Sequence, residues 1–213
     1  MFTRAAVPVF LAVVSLAGCS GIPSVPYVEP AADQGTARIR VISNSTVFGD
    51  SVVGSCAPSP RHKMVEAGRF SEDGKPAVSY PQFPATPVDL GVPNSLEPEL
   101  MQYVGAVRMA EGLYTKLATE YRVRTDAPFQ MATLGAAVGN YGSTYSTCPA
   151  VAQVYTLQPG KDYQAIVGVG RMPFGDNALT CFFGLFELVP LSGAKLALPK
   201  AVESKEPPAS LCN

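Results

Sequence analysis

Acyl transfer needs a nucleophile, a base within hydrogen-bond reach, and a group that orients the base. The chain of 213 residues holds one histidine, His62, so any serine chemistry must run through it. The candidate nucleophile is Ser51 in Val47-Phe48-Gly49-Asp50-Ser51, eleven residues before that histidine. By local preference alone, Gly49-Asp50 is a turn beside a strand. His62 itself sits in a compact basic triplet, Arg61-His62-Lys63, close to prolines. Such a triplet can meet a phosphate or an acidic partner face, although neighbouring cations on a loop are by default solvated. Paired carboxylates for glycoside chemistry would have to come from Glu111, Glu120, Asp126, Asp162, Asp176 and Glu187. Glu187 stands out because it lies in an apolar run, where burial would raise its pKa and demand a partner. A place near the strand end, facing water or paired with an arginine, is the expectation. One histidine and no Cys-x-x-Cys give no metal set, and the glycines from Gly135 to Gly142 lack a phosphate-binding lysine. No metal or cofactor is expected.

Gly49-Asp50-Ser51 resembles the G-D-S block of the SGNH, or GDSL, hydrolases. That resemblance implies Ser51 as nucleophile and offers Asn140 as an oxyanion-hole asparagine. In that family the base comes from a D-x-x-H block near the C-terminus, whereas no histidine follows His62 here. The helical patterns of an alternating α/β hydrolase are also missing. The sequence therefore predicts no catalytic residue. A better candidate for recognition is the stretch from Tyr141 to Cys148, rich in Gly, Ser, Thr and Tyr, with Tyr141, Thr144 and Tyr145 as possible contact residues.

The N-terminus carries an address. Arg4 precedes an apolar run from Ala5 to Leu16 that ends in Leu16-Ala17-Gly18-Cys19. A basic start, a short apolar run and small residues at the cut site make a secretory signal, too short for a permanent membrane span. The segment resembles the lipobox of bacterial lipoproteins, which implies removal of residues 1–18 and lipidation of Cys19. By resemblance to enterobacterial sorting rules, Ser20 after that cysteine favours the outer membrane. Losing Arg4 takes the formal net charge from −1 to −2, which favours neither nucleic acid nor an anionic surface as a partner. With Cys19 assigned to lipid, Cys56, Cys148, Cys181 and Cys212 form an even set, which predicts two disulfides in the oxidising periplasm. Three pairings are open. The favoured one joins Cys181 to Cys212, stapling the C-terminal tail to a strand, and leaves Cys56 with Cys148.

The elements that must position these residues read as strands. Residues 19–35 are proline-rich and predict an extended tether, followed by one domain over 36–213. Thr36 to Ser43 alternates Ile39 and Val41 against Arg38 and Arg40, the period of a half-buried strand with one wet face. Prolines break the segment 57–93 into connections and short edge pieces, with a brief strand at Met64 to Phe70. Ser95 to Met109 is the one helical candidate, capped by Ser95. Strands are expected at Ala118 to Thr125, Val151 to Leu157, Tyr163 to Val169 and Thr180 to Val189, the last apolar on both faces and so central. Gln158-Pro159-Gly160-Lys161 suits a type II turn, because proline presets its first central position and glycine accepts positive φ at the second.

Short strands between glycine and proline turns predict a mostly β, disulfide-braced β-sandwich, immunoglobulin-like or a related Greek key, with at most one short helix. Leu157-Gln158-Pro159-Gly160-Lys161-Asp162-Tyr163 resembles the L-x-P-G-x-x-Y connection of fibronectin type III and related sandwiches, which implies that Tyr163 closes a structural tyrosine corner. The chain departs from those domains in having no tryptophan. Together these features predict a lipid-anchored, periplasm-facing envelope lipoprotein, a non-enzymatic binding or assembly module with a protein partner. The alternatives are an immunity lipoprotein that neutralises a periplasmic toxin, and a hydrolase of envelope lipid or glycan.

Overall fold

A computed structural model describes residues 24–31, 35–70, 75–76, 79–95, 107–109, 112–114, 116–138, 146–171, 179–192 and 196–212. In chain order the strands are β1 (Val25–Pro26), β2 (Thr36–Ser43), β3 (Thr46–Ser51), β4 (His62–Glu66), β5 (Arg69–Phe70), β6 (Asn94–Ser95), β7 (Val107–Met109), β8 (Gly112–Tyr114) and β9 (Leu117–Arg124). They continue with β10 (Phe129–Thr133), β11 (Ala136–Val138), β12 (Ser146–Cys148), β13 (Val151–Tyr155), β14 (Asp162–Arg171), β15 (Leu179–Pro190), β16 (Leu196–Ala201) and β17 (Ser204–Lys205). Two six-stranded sheets dominate, in the orders β1-β4-β3-β10-β13-β17 and β6-β16-β15-β14-β2-β9. Between them lies one apolar core, with Val47, Met64, Phe129, Met131 and Tyr155 from the first sheet and Ile39, Val41, Tyr163, Val167 and Leu185 from the second. The protein is a disulfide-braced, mostly β sandwich. No helix occurs among the described residues.

Alternation placed β2 correctly, but its polar face is wet only in part, with Arg38 half-buried and Arg40 largely covered. β2 is an interior strand between β14 and β9, and a strap from Val88 to Asn94 crosses its arginines. Arg38 pairs with Asp162 at 2.7 Å and donates to Leu90 O at 2.7 Å. Arg40 pairs with Glu120 at 2.6 Å and donates to the carbonyls of Val92 and Pro93. Glu120 in turn accepts the N–H groups of Leu90 at 2.5 Å and Val92 at 3.1 Å. The strap's own carbonyls and amides therefore replace water around buried charge, which is what such charge requires. Val92 then packs on Leu188 and Ala197 to seal the strap's far end.

Three further expectations change. The helix over Ser95 to Met109 is contradicted at both ends, where Ser95 pairs with Ala197 and Val107 with Tyr114 in β-ladders; residues 96–106 lie outside the described residues. The expected tether is in part built into the sheet. Val25–Pro26 pairs in parallel with His62–Lys63, and Tyr27 packs edge-on against Tyr121 and Phe129 with ring centroids 5.7 and 6.1 Å apart. Burial of an aromatic side chain outweighs the open composition around it. The favoured cysteine pairing also fails: the disulfides are Cys56–Cys212 and Cys148–Cys181. Cys181 pairs across from Val169 at the end of the sandwich beyond Ser43, whereas the C-terminal tail runs beside Ala57 at the opposite end.

The turn after β13 has the expected form, with Gly160 at φ +73° and Lys161 N–H donating to Gln158 O at 3.4 Å. Tyr163 is buried, and its hydroxyl accepts the Gln158 N–H at 3.0 Å. Strand β15 is interior to its sheet but covered only in part, since Leu185 and Leu188 are buried while Cys181 and Val189 are exposed.

Two outcomes test this architecture. Non-reducing peptide mapping should recover a fragment joining Cys56 to Cys212, a bridge that spans 156 residues, and replacing both by serine should cost about 2–5 kcal/mol in thermal unfolding. Glu120→Ala should cost about 3–5 kcal/mol, because it leaves Arg40 buried and unpaired; chemical denaturation reads the loss.

Candidate functional site

The sole histidine and the Gly-Asp-Ser block meet at one end of the first sheet. Strand β3 brings Gly49, Asp50 and Ser51 to that end, the loop 52–61 leaves the sheet, and β4 returns with His62 as its first residue. Packing accounts for Gly49: a Cβ there would lie 2.3 Å from Met64 Sδ and 2.6 Å from Phe129 Cζ. The glycine is required where two core side chains press on the strand.

Asp50 is 8% exposed at its side chain, and its Oδ1 is hydrogen-bonded to His62 Nδ1. Directly across the ladder from Asp50 stands Gln130, whose Nε2 donates to Pro58 O at 2.8 Å. Asp50 and Gln130 thus fasten the returning limb and the middle of loop 52–61 to the sheet. Burial raises the Asp50 pKa above its ordinary 3.8, and the hydrogen bond from His62 works against that rise.

Around this pair opens a cleft of about 410 Å³ lined by Tyr27, Glu29, Asp50, Ser51, His62 and Arg124. Tyr27 donates its hydroxyl to Arg122 O at 3.3 Å. Burial first, then the charges of Glu29 and Asp50, hold the Tyr27 pKa above its ordinary value, so the phenol stays neutral at physiological pH and is no base. Glu29 accepts from the Arg122 amide at 3.2 Å and its guanidinium at 3.4 Å, while Arg124 pairs with Asp126. Asp50 on His62 Nδ1 reproduces half of a triad. The other half is missing, because among the described residues no hydrogen bond joins Ser51 to His62. The arrangement fastens a loop and presents one imidazole edge, 42% exposed, to the cleft.

The remaining candidates scatter. Glu120 and Asp162 serve the strap, Asp126 is an exposed partner of Arg124, and Glu187 pairs with Lys161 at 3.0 Å rather than with an arginine. Cys19, Glu111, Asn140, Tyr141, Thr144, Tyr145 and Asp176 lie outside the described residues. A second cavity of about 260 Å³, lined by Gly135, Cys148, Val169, Cys181 and Phe183 among others, sits at the opposite end beside the Cys148–Cys181 bridge. Sequence reading missed Tyr27 and Glu29, which composition had assigned to a tether; the apolar residues Val25, Tyr27 and Val28 in a proline-rich stretch were the available signal. No family model, curated protein or solved structure matches this chain.

Asp50 carries a pH signature with a definite sign. Its raised pKa means that the folded chain keeps this proton to higher pH than the unfolded chain, so between 3.8 and the folded value the native state binds more protons. The group's contribution to stability therefore falls as pH rises through that window. Asp50→Asn should remove the slope, and thermal midpoints measured upward from pH 3.8 in both proteins check it.

Proposed function

We propose that this chain is a lipid-anchored lipoprotein of the cell envelope, held at the outer membrane by Cys19 and acting toward the periplasm as a non-enzymatic binding or assembly module. One observation carries the reading: all four cysteines after Cys19 are used in two disulfides, Cys56–Cys212 and Cys148–Cys181. Such bridges persist in oxidising compartments, and they leave Cys19 as the thiol available to the lipobox chemistry. Asp50 and His62, the best catalytic material in the chain, fasten a loop instead of activating Ser51. Among the described residues no group of three metal-ligating side chains occurs. A binding role asks only for a rigid scaffold, and the strap and bridges supply one. The partner is an envelope protein rather than a nucleic acid, given a formal charge near zero.

A second reading, an envelope hydrolase, rests on Ser51 and His62 lining one cleft. The two readings separate on a fluorophosphonate probe, which a working serine nucleophile captures covalently. The binding-module reading expects no labelling at Ser51; labelling lost in both Ser51→Ala and His62→Ala would replace it with the hydrolase. For the anchor, Cys19→Ala should move the protein from the membrane fraction to soluble material or to an uncleaved precursor, and an acylated, membrane-bound variant would contradict the lipid assignment.

A further inference from the structure

The entry point of the chain fixes which end of the sandwich meets the membrane. Val25 N–H donates to Arg61 O at 3.0 Å and Tyr27 N–H to Lys63 O at 2.9 Å, so the N-terminal segment joins β4 at its first residues. That end also holds loop 52–61 and the C-terminal tail, which are tied together: Ala57 N–H donates to Ser210 O at 2.7 Å, Cys212 N–H donates to Ala57 O at 2.9 Å, and Cys56 is bridged to Cys212. Val53 on the loop and Leu211 on the tail are 73% and 66% exposed. Arg61, at the last position of the loop, is exposed and makes no ion pair among the described residues. Singly exposed apolar side chains are ordinary on protein surfaces. These two differ because they share the end through which the N-terminus enters.

The leash is short. From Cys19 to Ser24, the first described residue, is five residues, which span at most about 18 Å by any path. Strand β2, with its eight residues, is by itself longer, about 25 Å. A bilayer that holds an acyl group on Cys19 must therefore lie within a leash length of this end.

We infer that the end formed by loop 52–61 and the C-terminal tail rests on the bilayer that carries the anchor, with Val53 and Leu211 at the acyl boundary and Arg61 at the lipid phosphates. This inference rests on the lipid-anchor reading and adds an orientation to it. The lipid on Cys19 holds the chain at the membrane, and apolar side chains with a cation add a second contact that fixes how the domain sits on it. The Cys56–Cys212 bridge holds the two apolar tips together as one rigid footprint, and the opposite end, with Leu134 66% exposed, is left facing the periplasm.

The chain has no tryptophan, so single-tryptophan variants report position without background. Full-length protein with Val53→Trp, Leu211→Trp or Leu134→Trp, purified from membranes, would be reconstituted into vesicles of phosphatidylethanolamine and phosphatidylglycerol with brominated acyl chains. Flotation scores the anchor, and quenching scores the orientation. Tryptophan at 53 and at 211 should shift its emission to the blue and be quenched, while tryptophan at 134 should do neither. Floating protein with 53 and 211 unquenched, or with 134 quenched equally, would overturn the orientation alone. Protein that fails to float would overturn the anchor and the orientation together.

Discussion

The Asp50 carboxylate is the fixed point on which one whole end of the sandwich depends. It is nearly buried, and its Oδ1 is hydrogen-bonded to the His62 ring. That contact holds the first residue of β4. Once β4 begins there, the carbonyls of Arg61 and Lys63 are presented to Val25 and Tyr27, Tyr27 reaches the core between Tyr121 and Phe129, and the N-terminus is committed to this edge. Burial of an acid is costly, and the His62 hydrogen bond offsets only part of that cost, since the Asp50 pKa stays raised. A block that resembles a hydrolase signature is thereby explained by folding: Gly49 for close packing, Asp50 for the loop, Ser51 for the end of a strand.

The same economy of charge governs the opposite face of the molecule. Arg38, Arg40 and Glu120 are the polar half of the β2 and β9 alternation, and exposure would have satisfied them. Instead a proline-rich strap lies over them and supplies the carbonyls and amides they need. A strap of this composition cannot form a regular ladder, so side chains of the sheet make its hydrogen bonds for it. That converts an irregular connection into a covering layer over Arg40 and Glu120, while Arg38 stays partly exposed.

What the sequence disclosed follows from how local each signal is. Alternation located β2 and β9, and apolar runs between turn signals located β13, β14 and β15, to within a residue or two; Gln158-Pro159-Gly160-Lys161 announced its turn, because period and turn chemistry act over a few residues. Disulfide pairing was illegible, since Cys56 meets Cys212 only after the whole intervening chain has folded. The covering of Arg40 was illegible for the same reason: the strap that lies over it comes some fifty residues later. Composition misassigned Tyr27 and Glu29 to a tether, because prolines mark irregular backbone but say nothing about where one aromatic ring finds a slot. At the cleft, sequence named Ser51 and His62 as a pair to watch. Only the fold shows that Asp50, the residue before Ser51, takes the histidine.

Each thread leads back to the N-terminus: an apolar segment ending at Cys19, four other cysteines already paired, and a docked strand a short leash away. The most direct test is the intact mass of the protein extracted from membranes with detergent. A chain that begins at Cys19, lacking residues 1–18 and heavier by the mass of thioether-linked diacylglycerol, with or without a further N-acyl chain, is the predicted result. A mature chain with an unmodified Cys19, or one that retains residues 1–18 in full, would contradict the account.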